Sequence, residues 1–163
     1  MQLSAVIGEP DDGAHGGHGI WLLCRAGSFV CALRLTHVIE IMRILRIEPI
    51  ADAPAFVRGL SIIRGLPTPV VDIAHVFGGC PASPRRLVTV KAGARVVALA
   101  VDSVLGVRSI DTAAIAEPLP PLLQEAAGEM VSAIGRLDAD LLLFLNMANI
   151  VPEALLERLD AAA

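Results

Sequence analysis

The sequence predicts a mainly β protein built as closed or partly closed barrels, and three observations carry that prediction. About nine or ten short apolar runs recur along the 163 residues. Three pairs of these runs are joined by hairpin turns. No interval between runs holds the long helix that a βαβ layout requires, so short helices are confined to the joints. The chain is 55% apolar and 18% charged, a globular composition long enough to bury a core. Aromatics are only 3%, with no Tyr, so that core is made of Val, Leu, Ile and Ala.

The elements follow in order. Residues 1–18 read as a flexible leader of Gly, Pro, Asp and His, in which His15 and His18 lack a neighbouring thiol or carboxylate ligand. GIWLLCRAGSFVCALRL then alternates on both sides of Gly27-Ser28, and this register sets Cys24 opposite Cys31 and Leu22 opposite Leu33 on one face. Packed free thiols are expected there. LTHVIEIMRIL reads as a short amphipathic helix capped by Thr36, with Val38, Ile41, Met42 and Leu45 on one side. Residues 47–58 form an extended connection.

GLSIIRGLPTPVVDI, residues 59–73, reads as two strands hinged at Arg64-Gly65, with Pro67 and Pro69 at edge or bulge positions. A helical turn follows Asp72 and stops at Gly78-Gly79, before a loop at 80–84. RRLVTVKAGARVVALAVD is a second hairpin turning near Gly93. DSVLGVRSI continues as strand past a break at Gly106, and 111–129 is a connection with a short helical piece. MVSAIGRLDADLLLFLN is a third hairpin turning at Asp138-Ala139-Asp140, and residues 152–163 form a C-terminal helix and tail from Pro152.

Several function classes are excluded by composition. The formal net charge is −4, and no Lys/Arg cluster exceeds a pair such as Arg85-Arg86, so the basic footprint of a nucleic-acid binder is missing. Every apolar run is interrupted, by Arg58, Arg64, Asp72, Arg95 or Asp102, before it reaches the length of a membrane span. The N-terminus lacks the basic segment of a secretory signal. Three cysteines without a CxxC pair suit reduced thiols in the cytoplasm.

Catalytic chemistry has few carriers. Asp72 and His75 are spaced to share a helical face, with Cys80 or Ser61 as nucleophile. Yet Ser61 has no nucleophile elbow, and Cys80 has no helix N-terminus to lower its pKa. Asp72 reads better as the cap of the turn that follows it. No phosphate-binding glycine loop occurs, and no cofactor or metal site is expected. Asp102 ends a strand and is placed to bond a turn. What remains is an interaction surface.

The order of segments resembles the CheW family, the coupling proteins of bacterial chemosensory arrays. The resemblance rests on Val38-Ile39-Glu40-Ile41, Pro54-Ala55-Phe56-Val57-Arg58-Gly59, Ile63-Arg64-Gly65, Pro69-Val70-Val71-Asp72-Ile73, Val97 through Val107, and Gly135-Arg136-Leu137 followed by Leu141 to Leu145. It spans residues 19–151. It implies two SH3-like five-stranded barrels packed on a shared apolar core. It implies a cytoplasmic, non-catalytic adaptor between the tip of a methyl-accepting chemoreceptor and the regulatory domain of a CheA-type histidine kinase, not itself inserted in the membrane.

The resemblance further implies a receptor-binding groove carried by Arg64, Glu40, Val38, Ile41 and Gly65. Arg64 and Glu40 are expected to form a partly buried pair, and Ile41 is expected to be more core-directed than Val38. The alternatives are a small-molecule-sensing β-barrel module, or an adaptor serving a chemosensory system other than flagellar control, in pili or development.

Overall fold

The computed structural model describes residues 18–76, 83–111, 117, 121, 130–151 and 156–158. The leader at 1–17, Cys80, most of the 111–129 connection and the helix start at Pro152 lie outside these residues. The described residues form ten strands in two five-stranded sheets.

Strands β1 (His18–Ala26) and β2 (Phe29–Arg34) turn at Gly27, whose φ of 62° is left-handed. Their register sets Cys24 against Cys31 and Leu22 against Leu33, as the alternation predicts. A 3-10 turn over Leu35–His37 leads into β3 (Val38–Arg43). Here the expected helix from Thr36 to Leu45 is overturned. Val38, Ile39 and Ile41 are β-branched and lose rotamer freedom in a helix. Pairing with β6 instead satisfies the backbone and sorts the residues with a period of two, so that Glu40 and Met42 turn inward while Ile39, Ile41 and Arg43 stay exposed.

β4 (Val57–Ile63) and β5 (Leu66–Asp72) are hinged at Arg64-Gly65 as expected, and helix α1 (Ile73–Val76) follows at once. β5 is interior to its sheet, but its pairing with β7 covers only Val70–Asp72, which leaves Pro67 and Pro69 clear of the second ladder. β6 (Arg86–Ala92) and β7 (Arg95–Val101) form the second hairpin. β8 (Ser103–Asp111) is not broken at Gly106. The glycine, at φ 132°, sits beside a bulge where the register against β1 shifts. β9 (Val131–Leu137) and β10 (Asp140–Leu145) form the third hairpin, and a 3-10 turn over Met147–Asn149 follows.

The two sheets share one topology. Lobe 1 runs β8-β1-β2-β10-β9 and lobe 2 runs β3-β6-β7-β5-β4. Each contains an antiparallel pair, a hairpin, a parallel contact and a second hairpin, in that order. Lobe 2 is continuous in the chain, whereas lobe 1 is assembled from the two terminal hairpins plus β8.

The repeat extends to detail. The ladder β3–β6 shifts register after Val38, and β1–β8 shifts at the corresponding place beside Val104. Glu48 bridges to Leu60, and Glu117 bridges to Ile134, so each barrel is closed by the segment that follows its first edge strand. Asp72 accepts from the amide of His75, and Asn146 accepts from the amide of Ala148, so both lobes cap the turn after their second hairpin with the same kind of side chain.

Period-two sorting places three cores. Leu22, Cys24, Cys31, Leu33, Val88, Val90, Val97, Leu99, Leu143 and Leu145 belong to one cluster shared by both lobes. Trp21, Leu23, Val30, Ala32, Leu142 and Phe144 fill the interior of lobe 1. Ile63, Val70, Leu87, Ala98 and Ala100 fill lobe 2, with Met42 packed against them. Each fully buried Val or Leu contributes about 1.5–3 kcal/mol, so the shared cluster fixes the lobes against each other. The packing of two barrels on a shared apolar core is as expected.

Candidate functional site

Arg64 and Gly65 have φ of 53° and 78°, the two positive values of a type I′ turn, with Ile63 and Leu66 paired at its base. Gly65 takes this conformation freely, while Arg64 is one of three described non-glycine residues with positive φ. The equivalent turn of lobe 1 has Asp138 in that place, also at φ 53°, a residue type that tolerates it well. The arginine is therefore retained against the local preference of the turn, and its side chain must supply the reason.

That side chain reaches Glu40 on β3. Its Nε donates to Oε2 at 3.2 Å and Nη2 donates to Oε1 at 2.5 Å, a fork-to-carboxylate pair. The pair is not partly buried as expected: Arg64 is 76% exposed at its side chain and Glu40 29%. The Glu40 hydrogen bond, and then its charge, raise the pKa of Arg64 above the usual arginine value. In water an exposed pair contributes little to stability. Its effect here is geometric, since it ties the β4–β5 turn to edge strand β3 and holds a planar cation at the surface. Thr89 Oγ1 donates to the Glu40 carbonyl at 3.3 Å, which steadies the strand beneath.

Apolar residues are exposed at the ends of the turn and on β3. Ile62 is 64% exposed and Leu66 65%, on either side of the turn, and Ile41 is 44% exposed on β3. Ile41 is thus more exposed than Val38, the reverse of the expected order. Val38 is half-buried and packs against the shared cluster. The bulge after Val38 changes the parity of the strand, which helical spacing does not reveal. Of the expected residues the structure brings Arg64 and Glu40 together, with Gly65 in the same turn. Ile41, next to Glu40 in the strand, points to the opposite side of β3, and Ile62 and Leu66 are exposed beside the turn. Their signal was present as apolar residues beside a two-residue turn, where side chains have little to pack against.

Among the described residues, Asp72 and Ser61 are bound to other groups and not to each other or to the His75 side chain. Asp72 Oδ1 accepts from the His75 amide at 3.3 Å and Oδ2 accepts from Arg58 Nε at 2.8 Å. Ser61 Oγ donates to the Arg46 carbonyl. Asp72 is therefore a cap and ion-pair partner, and Cys80 lies outside the described residues. Asp102 Oδ2 accepts from the Gly27 amide at 2.8 Å, bonding the turn of the first hairpin. Among the described residues no three His, Cys, Asp or Glu cluster as metal ligands, and no helix is long and apolar enough to cross a membrane.

The CheW-like domain family matches residues 21–155. The chain belongs to the CheW-like domain family. Protein FrzA of Myxococcus xanthus is 32% identical over 132 residues, covering 77% of this chain and 78% of FrzA. The chemotaxis protein CheW of Klebsiella aerogenes is 27% identical over 134 residues, covering 80% of each. In three dimensions the chain superposes on the scaffolding protein TtCheW from Thermoanaerobacter tengcongensis with a TM-score of 0.68, over 80% of this chain and 90% of that one at 23% identity. The two five-stranded lobes are thus the paired SH3-like barrels of a CheW-like domain.

Proposed function

We propose that this CheW-like protein is a non-catalytic adaptor that couples a chemoreceptor to a CheA-type histidine kinase in a chemosensory array. The receptor tip docks on the Glu40–Arg64 face. One observation carries the reading: a bidentate ion pair held at the surface by a turn that does not favour arginine, with Ile62 and Leu66 exposed at the two ends of that turn. A planar cation beside a turn with exposed apolar residues suits a helix that offers a carboxylate or carbonyl beside an apolar stripe. Kinship with the Klebsiella chemotaxis protein and with a scaffolding protein supports the adaptor role, and FrzA extends the kin beyond proteins named CheW.

Such a protein needs no bond chemistry. Each contact can be modest, because an array presents many copies and avidity multiplies weak interfaces. Signal passes when receptor movement changes the relative placement of adaptor and kinase, which requires different binding free energies in two array states.

The test is a pull-down of the purified chain with a receptor signalling fragment and, separately, with a CheA regulatory domain. Arg64→Ala and Glu40→Ala are each expected to weaken receptor capture by about tenfold or more, as for truncation of an interface anchor. Kinase capture stays intact. A folded wild-type chain that binds neither partner overturns the adaptor role. A folded Arg64→Ala variant that binds receptor as well as wild type overturns the assigned face.

A further inference from the structure

We infer that Arg43, Arg85 and Arg86 form a second docking site, for an acidic peptide segment of a partner protein. In the sequence only Arg85-Arg86 are neighbours, but the ladder of β3 with β6 places Arg43 directly opposite Arg86. The amide of Ile44 donates to the Arg85 carbonyl at 3.2 Å, which brings the third arginine to the same strand end. All three are exposed. Among the described residues, none of them has a carboxylate within ion-pair distance; Arg86 Nη1 bonds only the Arg85 carbonyl, at 3.0 Å.

Like charges directly opposite in a ladder destabilise it. The fold itself does not demand them, because the equivalent pair in lobe 1 is Ile20 opposite Ser109. A feature present in one copy of a repeat, and unfavourable where it stands, points to a use outside the fold. Ile44 and Leu45, 37% and 41% exposed, follow Arg43 directly and give the patch an apolar border.

Charge selects the ligand class. The chain as a whole carries −4, which repels an extended polyanion such as nucleic acid or an anionic membrane. A short segment senses mainly the charges within about 8 Å at physiological salt, where Arg43 and Arg86, directly opposite in the ladder, dominate and Arg85 adjoins them in the chain. Arginine forks pair with carboxylates two bonds at a time. Carboxylates alternating with apolar side chains fit both parts of the patch. The site is independent of the Glu40–Arg64 face.

The experiment titrates the full chain with a short synthetic peptide rich in glutamate and leucine, following the arginine Nε–Hε resonances by NMR and affinity by fluorescence anisotropy. The lysine-for-glutamate peptide and phosphatidylserine-containing vesicles are run in parallel. The expected result is shifts at Arg43, Arg85 and Arg86, affinity that falls as salt rises, and at least about a tenfold loss in the Arg43→Gln/Arg86→Gln variant. Lys91→Gln binds the peptide as wild type does.

Arg43→Glu supplies a second readout, since it places a carboxylate opposite Arg86. It is expected to raise Tm by about 1–3 °C while abolishing peptide binding. Equal binding of both peptides, binding to vesicles in place of the peptide, or undiminished binding in the double variant overturns the site.

Discussion

Gly59 is the position where the backbone leaves least choice. It sits in β4 with φ 142°, and a Cβ built there lies 1.9 Å from the Glu48 carbonyl oxygen and 2.9 Å from Pro49 Cα. Those atoms are main chain and cannot swing aside. They also belong to the bridge that closes lobe 2, in which Glu48 and Leu60 exchange two backbone hydrogen bonds of 2.8 Å. In Gly59→Ala the positive φ costs about 1–3 kcal/mol, and loss of the two bonds costs about 0.5–1.5 kcal/mol each. The sum is about 2–6 kcal/mol, against a total stability of about 5–15 kcal/mol for a domain. Gly65→Ala is the matched control. Its φ is 78°, but nothing lies within 4 Å of the added carbon, so it bears the conformational cost alone. Urea unfolding followed by circular dichroism measures both. Gly59→Ala is expected to lose about 1–3 kcal/mol more than Gly65→Ala, the share of the two backbone bonds. Equal losses refute the claim that the 48–60 bridge, and not backbone strain alone, requires the glycine.

Burial pushes the Cys24 thiol up to about 12 from 9.0, and burial followed by the neighbouring Cys24 raises Cys31 as well. Folded thiols stay protonated while unfolded ones ionise, so stability is full below about pH 9 and falls between pH 9 and 12 by up to about 1.4 kcal/mol per pH unit per thiol; urea titrations at pH 8 and 10 are expected to show this slope, reduced in Cys24→Ala, and the absence of Tyr keeps the window clear. Native Cys24 and Cys31 are likewise expected to resist a thiol reagent until unfolding. Trp21, the single tryptophan, packs edge-on against Phe144 at 5.0 Å inside lobe 1; its emission and the far-ultraviolet signal of both lobes are expected to change in one transition, because the shared core joins them. Asp72→Ala removes the α1 cap and the partner of Arg58, and is expected to cost about 1–3 kcal/mol by urea unfolding, with Asp72→Asn recovering part of it.

The legible parts of the fold were those with strong local signals. Turn chemistry and alternation were enough to place the Cys24–Cys31 register, the hinge at Arg64-Gly65 and the cap at Asp72. The stretch 36–45 misled because apolar residues fall on both parities around the Ile39 bulge, and six apolar residues in ten satisfy a helical stripe as readily as a strand. Pairing with β6 decides the matter, and that partner lies far along the chain. The candidate site was half legible: Glu40 and Arg64 were expected together from family resemblance, not from spacing. Arg43 beside Arg86 was invisible, since only the ladder register brings them opposite.

The repeat explains both what the lobes share and where they differ. Val57, Leu60, Ile63, Val70, Val71, Asp72 and Ile73 of lobe 2 stand at constant spacing from Val131, Ile134, Leu137, Phe144, Leu145, Asn146 and Met147 of lobe 1. These are the positions that face a core, cap a turn or, at Leu60 and Ile134, bridge to the closing segment. The physics that holds each barrel closed has therefore kept the two copies alike, but with residues changed enough to hide the match in a single reading of the chain. The positions that diverge are the exposed ones. Register equivalence sets Arg64 against Asp138, Glu40 against Gly106, and Arg43 against Ser109. One barrel frame thus occurs twice, while the bidentate pair and the arginine cluster occur only in lobe 2. A protein whose work was to be a stable double barrel would have no use for that asymmetry. The proposed receptor face and peptide site would use it, because each partner must recognise its own face and be refused by the other.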